Sequence, residues 1–288
     1  INSEVGVGGS VLLPSTGLSR IPDAVGQIDV PEAPPPYTVD TERQTEALER
    51  MTDAFRTPMA PTSQEVLVNR GVELSFGDQF SLFGNRPLGV IASASYERSY
   101  SGTEGGTTAR YSQTGVSAEG LNPEALYITQ QGTERTLASG LVGLSIQPHP
   151  QHEIGARLLY TMDNEDEARV ETGSLPRDLA GDTRFQTRVL RTTERTTGSA
   201  EVTGSHRFGS GSGAVRAEWT TTWSRATRDE PDYRFFSNQF TPSSSDTAYA
   251  ISPSIFLPPA RFFRDLTEDA WMADASVEVP FGAVTLKS

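Results

Sequence analysis

Cysteine is missing altogether from these 288 residues. That excludes a disulfide scaffold, a thiolate zinc site and a cysteine nucleophile. Basic residues are scarce beside acidic ones: 24 Lys and Arg stand against 37 Asp and Glu, for a net charge of −13. A chain so balanced has no basic face with which to neutralise phosphates, so nucleic acid is excluded as a partner. The only histidines are His149, His152 and His206, all at or near expected turns, and no Ser-His-Asp arrangement is credible among them. No apolar run approaches the ~18–20 residues of a membrane helix. This last absence leaves strand spans open, since a spanning β-strand needs only about 9–11 residues with every second one apolar.

What is present is alternation. The even positions from Val72 read Val72, Leu74, Phe76, Asp78, Phe80 and Leu82, with Glu73, Ser75, Gly77, Gln79 and Ser81 between them. A turn sequence follows, Gly84-Asn85-Arg86-Pro87, and then Leu88, Val90, Ala92, Ala94, Tyr96, Arg98 and Tyr100 alternate with Gly89, Ile91, Ser93, Ser95, Glu97 and Ser99. Residues two apart share one face of a strand, so each segment has an apolar and a polar side. The pattern returns at 154–162, 215–223 and 271–279. It is less clean at 136–146, where Leu137 and Leu141 fall on the wrong face, weaker at 188–208, and only suggestive at 1–8. One-sided strands of this kind predict an all-β, antiparallel, up-and-down sheet of eight strands with the stub of a ninth at 284–288.

The connectors carry a second signal. Short ones at 84–87, 148–151, 209–213 and 280–283 hold the Gly, Pro or Asn that a reversing backbone needs. Long ones at about 9–64, 102–134, 163–187 and 225–268 alternate with them. Short turns at one end and long external loops at the other are the habit of transmembrane β-barrels. In that reading Val72, Leu74, Tyr96, Ala217, Trp219 and Ala275 face lipid. Tyr160, Trp223 and Trp271 join an aromatic girdle, and Arg98 reaches headgroups or lipopolysaccharide phosphates. Glu73, Glu97, Glu153, Arg157, Arg216, Glu218, Asp274 and Glu278 face a watery interior. Two alternatives invert or truncate this picture: a soluble β-sandwich binding module, and a complete small outer-membrane barrel or adhesin.

Within the first long connector, 41–56 reads as a short helix capped by Thr41, with Ala47, Leu48, Met51, Ala54 and Phe55 at helical spacing. Two loops offer ligand chemistry. Asp229, Glu230 and Asp232, followed by Tyr233, Phe235 and Phe236, form a candidate ligand-binding surface, carboxylates for polar contacts and aromatics for stacking. Asp163, Glu165, Asp166 and Glu167 are weak calcium candidates, because hard cations take oxygen ligands, although the glycine and spacing of an EF-hand loop are missing. No cofactor is expected. Gly209-Ser210-Gly211-Ser212-Gly213 lacks the Lys-Ser/Thr and the βα context of a phosphate loop and reads as a turn. No pair of carboxylates is placed at glycosidase geometry, and the chain reads as non-catalytic.

Several stretches resemble the barrel of TonB-dependent outer-membrane receptors: 72–100, 160–169 (YTMDNEDEAR), 191–195 (RTTER), 223–232 (WSRATRDEPD), 264–271 (RDLTEDAW) and 279–282 (VPFG). The resemblance implies a transmembrane barrel of 22 strands closed by an N-terminal plug, importing a scarce solute such as a siderophore, saccharide or peptide across the bacterial outer membrane. Its partners would be outer-membrane lipid and lipopolysaccharide, the imported solute, and the TonB complex acting through the plug. Residues 1–288 are then expected to be part of one barrel domain, the plug and the other strands lying outside the chain. The opening at Ile1 and the closing segment 284–288, which reads as the start of a strand, carry the same expectation of an interior piece.

Overall fold

The computed structural model describes residues 10–14, 45–46, 49–50, 53–54, 58–82, 86–113, 120–176, 179, 181–242, 247–251, 259–281 and 284–287. β1 (Ser10–Pro14) and β2 (Pro61–Glu65) form a small antiparallel pair. β3 (Arg70–Leu82), β4 (Arg86–Ser112), β5 (Asn122–His149), β6 (His152–Ser174), β7 (Arg184–Phe208) and β8 (Val215–Thr241) follow as one up-and-down antiparallel meander. β9 (Ala248–Ala250) pairs with the end of β8, and β10 (Ala260–Phe281) and β11 (Val284–Lys287) complete the sheet. β3 and β11 are its two outer strands, and it does not close on itself among the described residues. β1 lies against the middle of the sheet, close to β4, β5, β6 and β7.

The alternation in the sequence becomes two faces because register carries it from strand to strand. Leu74 stands opposite Ala94, Ala94 opposite Gly140, Gly140 opposite Tyr160, and Tyr160 opposite Gly198. The next row runs Phe76, Ala92, Val142, Leu158, Ala200, Trp223 and Trp271. These rows continue as one apolar band over 88–96, 138–146, 154–162, 217–223 and 271–279. Its side chains are exposed or half-buried, with Leu158 at 58% and Trp271 at 75%. The opposite face carries Glu73, Glu97, Arg157, Glu218 and Asp274, with ion pairs such as Arg157–Glu201 and Arg216–Glu278. Leu137 and Leu141 do sit on this polar face, opposite Glu97 and Ser93.

Glycine makes room for the largest groups on the sheet. The Trp219 indole lies where a Cβ on Gly204 would stand, and the Tyr160 ring covers Gly198. In the β7–β8 turn, Gly209 and Gly211 adopt φ of 94° and 67°, which L side chains avoid, and a short 3₁₀ turn at Gly211–Gly213 completes the reversal. The segment expected to be a turn is therefore one.

The loops are the main correction. Residues expected to form the long connectors at 102–134, 163–187 and 225–268 are mostly strand: β4 runs to Ser112 and β5 starts at Asn122, β6 runs to Ser174 and β7 starts at Arg184, and β8 runs to Thr241. β5 runs for 28 residues, about 90 Å at 3.3 Å per residue. Beyond the apolar band the apolar residues no longer alternate, as at Leu126-Tyr127-Ile128 and Val189-Leu190, so the period-two signal disappears while backbone pairing continues. The strand expected at 1–8 lies outside the described residues, and Ser10–Pro14 pairs with β2 rather than with the large sheet. Of the expected helix at 41–56, residues 45–46, 49–50 and 53–54 are helical, and the rest lies outside the described residues. Asn69 extends the β3 edge with its side chain: Oδ1 accepts the Tyr100 N–H at 2.8 Å and the amide donates to the Tyr100 carbonyl at 3.4 Å.

Candidate functional site at the far end of the sheet

Away from the apolar band, the far end of the sheet holds both a buried apolar cluster, Ala125, Leu175 and Phe185 with Tyr127 packed against it, and a set of buried ion pairs. β8 bulges between its two neighbours: register shifts between Leu190 and Glu194 on one side and between Phe262 and Arg264 on the other. Pro231 lies within this bulge and has no N–H to give to a ladder. The bulge crowds acidic and basic side chains together. Glu230 accepts hydrogen bonds from Arg228 Nη2 at 2.7 Å and Arg264 Nη1 at 2.9 Å. Asp232 accepts from Arg234 Nε at 2.9 Å, Arg234 Nη2 at 2.7 Å and Arg261 Nε at 2.8 Å. Arg234 also donates Nη1 to the Pro58 carbonyl at 2.6 Å, tying the segment before β2 to the sheet.

All six candidate ligand residues fall in this region, but on a strand and not in a loop. Tyr233 packs on Phe262 with ring centroids 5.4 Å apart, and Arg264 lies over both rings at 5.5 and 4.9 Å. Phe236 lies beneath Arg188 at 5.7 Å, while Phe235 stands in register with Val189 and Ala260. Asp229 lies between Glu194 and Asp265, three carboxylates side by side on adjacent strands. A cleft of about 550 Å³ opens beside them, lined by Thr196, Thr227, Arg228, Arg264 and Asp265 among others. That size suits a small ligand. Burial pushes the Glu230 carboxyl up, but the hydrogen bonds from Arg264 and Arg228 outweigh it and hold it below the usual range.

The four arginines that answer these carboxylates, Arg228, Arg234, Arg261 and Arg264, were not among the expected site residues. Their signal is local: carboxylates and arginines alternate in 228–234 and reappear in 261–265, as two antiparallel strands of complementary charge require.

The second acidic run resolves in the same way. Asp163 accepts Arg135 Nε at 2.8 Å and lies 3.6 Å from Arg195, while Glu167 accepts Arg191 at 2.5 Å. Glu165 lies 3.7 Å from Arg191, and Asp166 accepts the Thr192 hydroxyl. The Arg135 hydrogen bond, opposed by burial and helped by Arg195, holds the Asp163 carboxyl below its ordinary value. On a strand, consecutive side chains point to opposite faces, so Asp163, Glu165 and Glu167 share one side and Asp166 faces the other. Among the described residues no three His, Cys, Asp or Glu side chains are grouped to hold a metal ion. Arg98, expected to reach lipid phosphates, instead pairs with Glu134 and lies over the Tyr100 ring at 5.6 Å.

Another cleft, of about 820 Å³, runs over the apolar band, between Leu74, Phe76, Tyr160 and Trp223, above the small residues Ala94 and Gly140. Comparison with protein-family models, with curated proteins and with solved structures finds no match.

Proposed function

We propose that this chain is part of the wall of a transmembrane β-barrel in the bacterial outer membrane, belonging to a non-catalytic receptor of the TonB-dependent kind that imports a scarce solute. One observation carries the reading. The exposed apolar side chains of 88–96, 138–146, 154–162, 217–223 and 271–279 line up in register as a single band, next to the end of the sheet with the shortest connections. The nine-residue stretches rise about 30 Å along their strands, or about 23 Å along a barrel axis at a tilt near 40°, close to the ~25 Å apolar belt of outer-membrane barrels. A soluble sandwich needs a second layer over that face, whereas Leu74, Leu158, Tyr160 and Trp271 stay exposed. Above the band, the polar strand extensions and the cleft beside Arg228 and Asp265 form the external surface that meets the solute, of the siderophore, saccharide or peptide kind. Lipid and lipopolysaccharide would contact the band, and energy would arrive from the TonB complex through a plug.

The test is fractionation of the protein that carries this chain, with heat-dependent gel mobility as the readout. Recovery in the outer membrane with a heat-dependent shift is expected. Recovery as a soluble protein with heat-independent mobility would overturn the reading.

A further inference from the structure

All three histidines of the chain meet at one place, the turn end of the sheet. His149 stands in register with His152, and His152 with His206. Their ring centroids are 5.5 and 5.2 Å apart, and Phe208 packs against the last two rings at 5.5 and 6.2 Å. Two hydrogen bonds run through them: Trp219 Nε1 to His206 Nε2 at 3.1 Å, and His206 Nδ1 to His152 Nδ1 at 3.2 Å. A third, at 3.3 Å, brings the Gln151 N–H to His149 Nδ1.

An indole N–H only donates, so His206 Nε2 must be the acceptor. The proton of neutral His206 is then on Nδ1 and is given to His152 Nδ1, which leaves the His152 proton on Nε2. The direction of these two bonds is fixed by the indole. A metal-bound imidazole keeps its second nitrogen as a donor. His206 uses that nitrogen to accept, which argues against a metal here.

We infer that this row is a proton-sensitive clasp joining β6, β7 and β8, with β5 held beside it through His149. Each link consumes the lone pair of an imidazole nitrogen. A proton arriving on His206 Nε2 expels the indole, and one arriving on His152 Nδ1 turns an acceptor into a second donor facing His206. Among the described residues no charged side chain adjoins the row on its own face; Asp78 and Arg86 share that face but lie on β3 and β4, beyond β5. The row's register neighbours are Ala217 and Val277, with Ile154, Gly204, Trp219 and Ala275 in the adjoining row. The nearby charged groups occupy the alternate positions and face the other way. These are Glu153, held by Ser145; Arg207, held by the Gly211 carbonyl; Arg216, paired with Glu278; and Glu218. Protonation of either ring therefore opens the clasp. The inference does not depend on the proposed function; it concerns four strands of the sheet wherever the protein resides.

The experiment is a long-range 1H–15N spectrum of the imidazoles across a pH series, on the whole protein, with each ring assigned by His149→Gln, His152→Gln and His206→Gln. At neutral pH the Nδ1–H form of His206 and the Nε2–H form of His152 are expected. On acidification the His152 and His206 curves should be coupled, each changing shape when the other ring is replaced, and the Trp219 indole proton should move with them. Trp219→Phe keeps all three imidazoles and serves if a histidine variant fails to fold; loss of the His206 Nδ1–H form is expected there. An Nε2–H form of His206 in the unaltered protein, or titration curves for His152 that are identical with and without His206, would overturn the inference.

Discussion

Asp232 and Arg234 lie two residues apart on β8 and bond side chain to side chain with almost no exposure to solvent, 0% and 1%. A buried charge is tolerable only while its partner is present. Removing one member of such a pair costs about 3–5 kcal/mol, while replacing both by apolar groups of similar size costs far less. Asp232→Asn strands two arginines, Arg234 and Arg261, whereas Arg234→Met leaves Asp232 still bonded to Arg261. Chemical unfolding should therefore rank Asp232→Asn as the more damaging single change, with Asp232→Leu/Arg234→Met milder than either single change. Equal losses for the two single variants would mean that Arg261 does not share the carboxylate.

Glu230 supplies a pH prediction. Its folded value is held down by Arg264 and Arg228. Stability from this group is fully present above the unfolded carboxylate value, about 4.3, and drains away as pH falls through the lower folded value. Melting temperature recorded downward from neutral pH should fall more steeply in the unaltered protein than in Glu230→Gln. Parallel curves would remove Glu230 from the acid response.

Register can be checked covalently, because the chain offers no competing thiol. Ser95 and Ser139 are directly opposed, their hydroxyl oxygens 2.7 Å apart. Opposed residues on antiparallel strands have Cα atoms about 4.5–5.5 Å apart, within the span of a disulfide. The double variant Ser95→Cys/Ser139→Cys should oxidise readily and gain heat resistance. A Ser95→Cys/Ala138→Cys pair, one residue out of register, should not.

Leu158 and Leu159 are neighbours on opposite faces of β6. If the apolar band meets lipid, Leu158→Arg places a charge at mid-band, costing about 2–4 kcal/mol in a membrane barrel, and Leu159→Arg meets the polar side and is tolerated. Refolding yield into bilayers, measured for both, checks this. Equal yields would place the two faces in similar solvent.

The carboxylate row Glu194–Asp229–Asp265 puts like charges opposite one another, which is unfavourable by a few tenths to about 1 kcal/mol per contact. Asp265→Asn should raise the denaturant midpoint slightly at low salt, with the gain vanishing as salt screens the row. A lower midpoint would mean that Asp265 is tied to a cation.

The apolar half of each strand was legible in the sequence and the polar half was not. Val72 to Tyr96, 154–162 and 271–279 announce themselves because one side chain in two avoids water, and register then lines them up as expected. Residues 102–112 and 122–134 carry no such signal, since the first is almost wholly polar and the second has its apolar residues, Ala125 to Ile128, in one consecutive run; pairs such as Arg110–Glu124 join the two strands there. Charge runs misled for a related reason. Asp163 to Glu167 read as a cluster in one dimension, but a strand splits them over two faces and an antiparallel neighbour answers them with Arg191 and Arg195. Asp229 to Phe236 lie on one strand, β8, and their arginine partners required knowing which strand lay alongside.

The irregularities of the sheet are unevenly distributed, and that has a mechanical side. Register slips between Thr103 and Gly106, at Arg110/Tyr111, between Leu190 and Glu194 and between Phe262 and Arg264, all in the polar half; one more sits beside the turn, between Ile146 and His149. The stretch between is an unbroken ladder on every long strand. A load applied at the far tips would be absorbed first by bending at the bulges, while the apolar band moved as a stiff plate. The compliance of this sheet is therefore shared between the β4–β5 slips and the β8 bulge, and at the bulge Asp232, Arg234 and Arg261 lock it, so loosening that knot would soften one tip without disturbing the band.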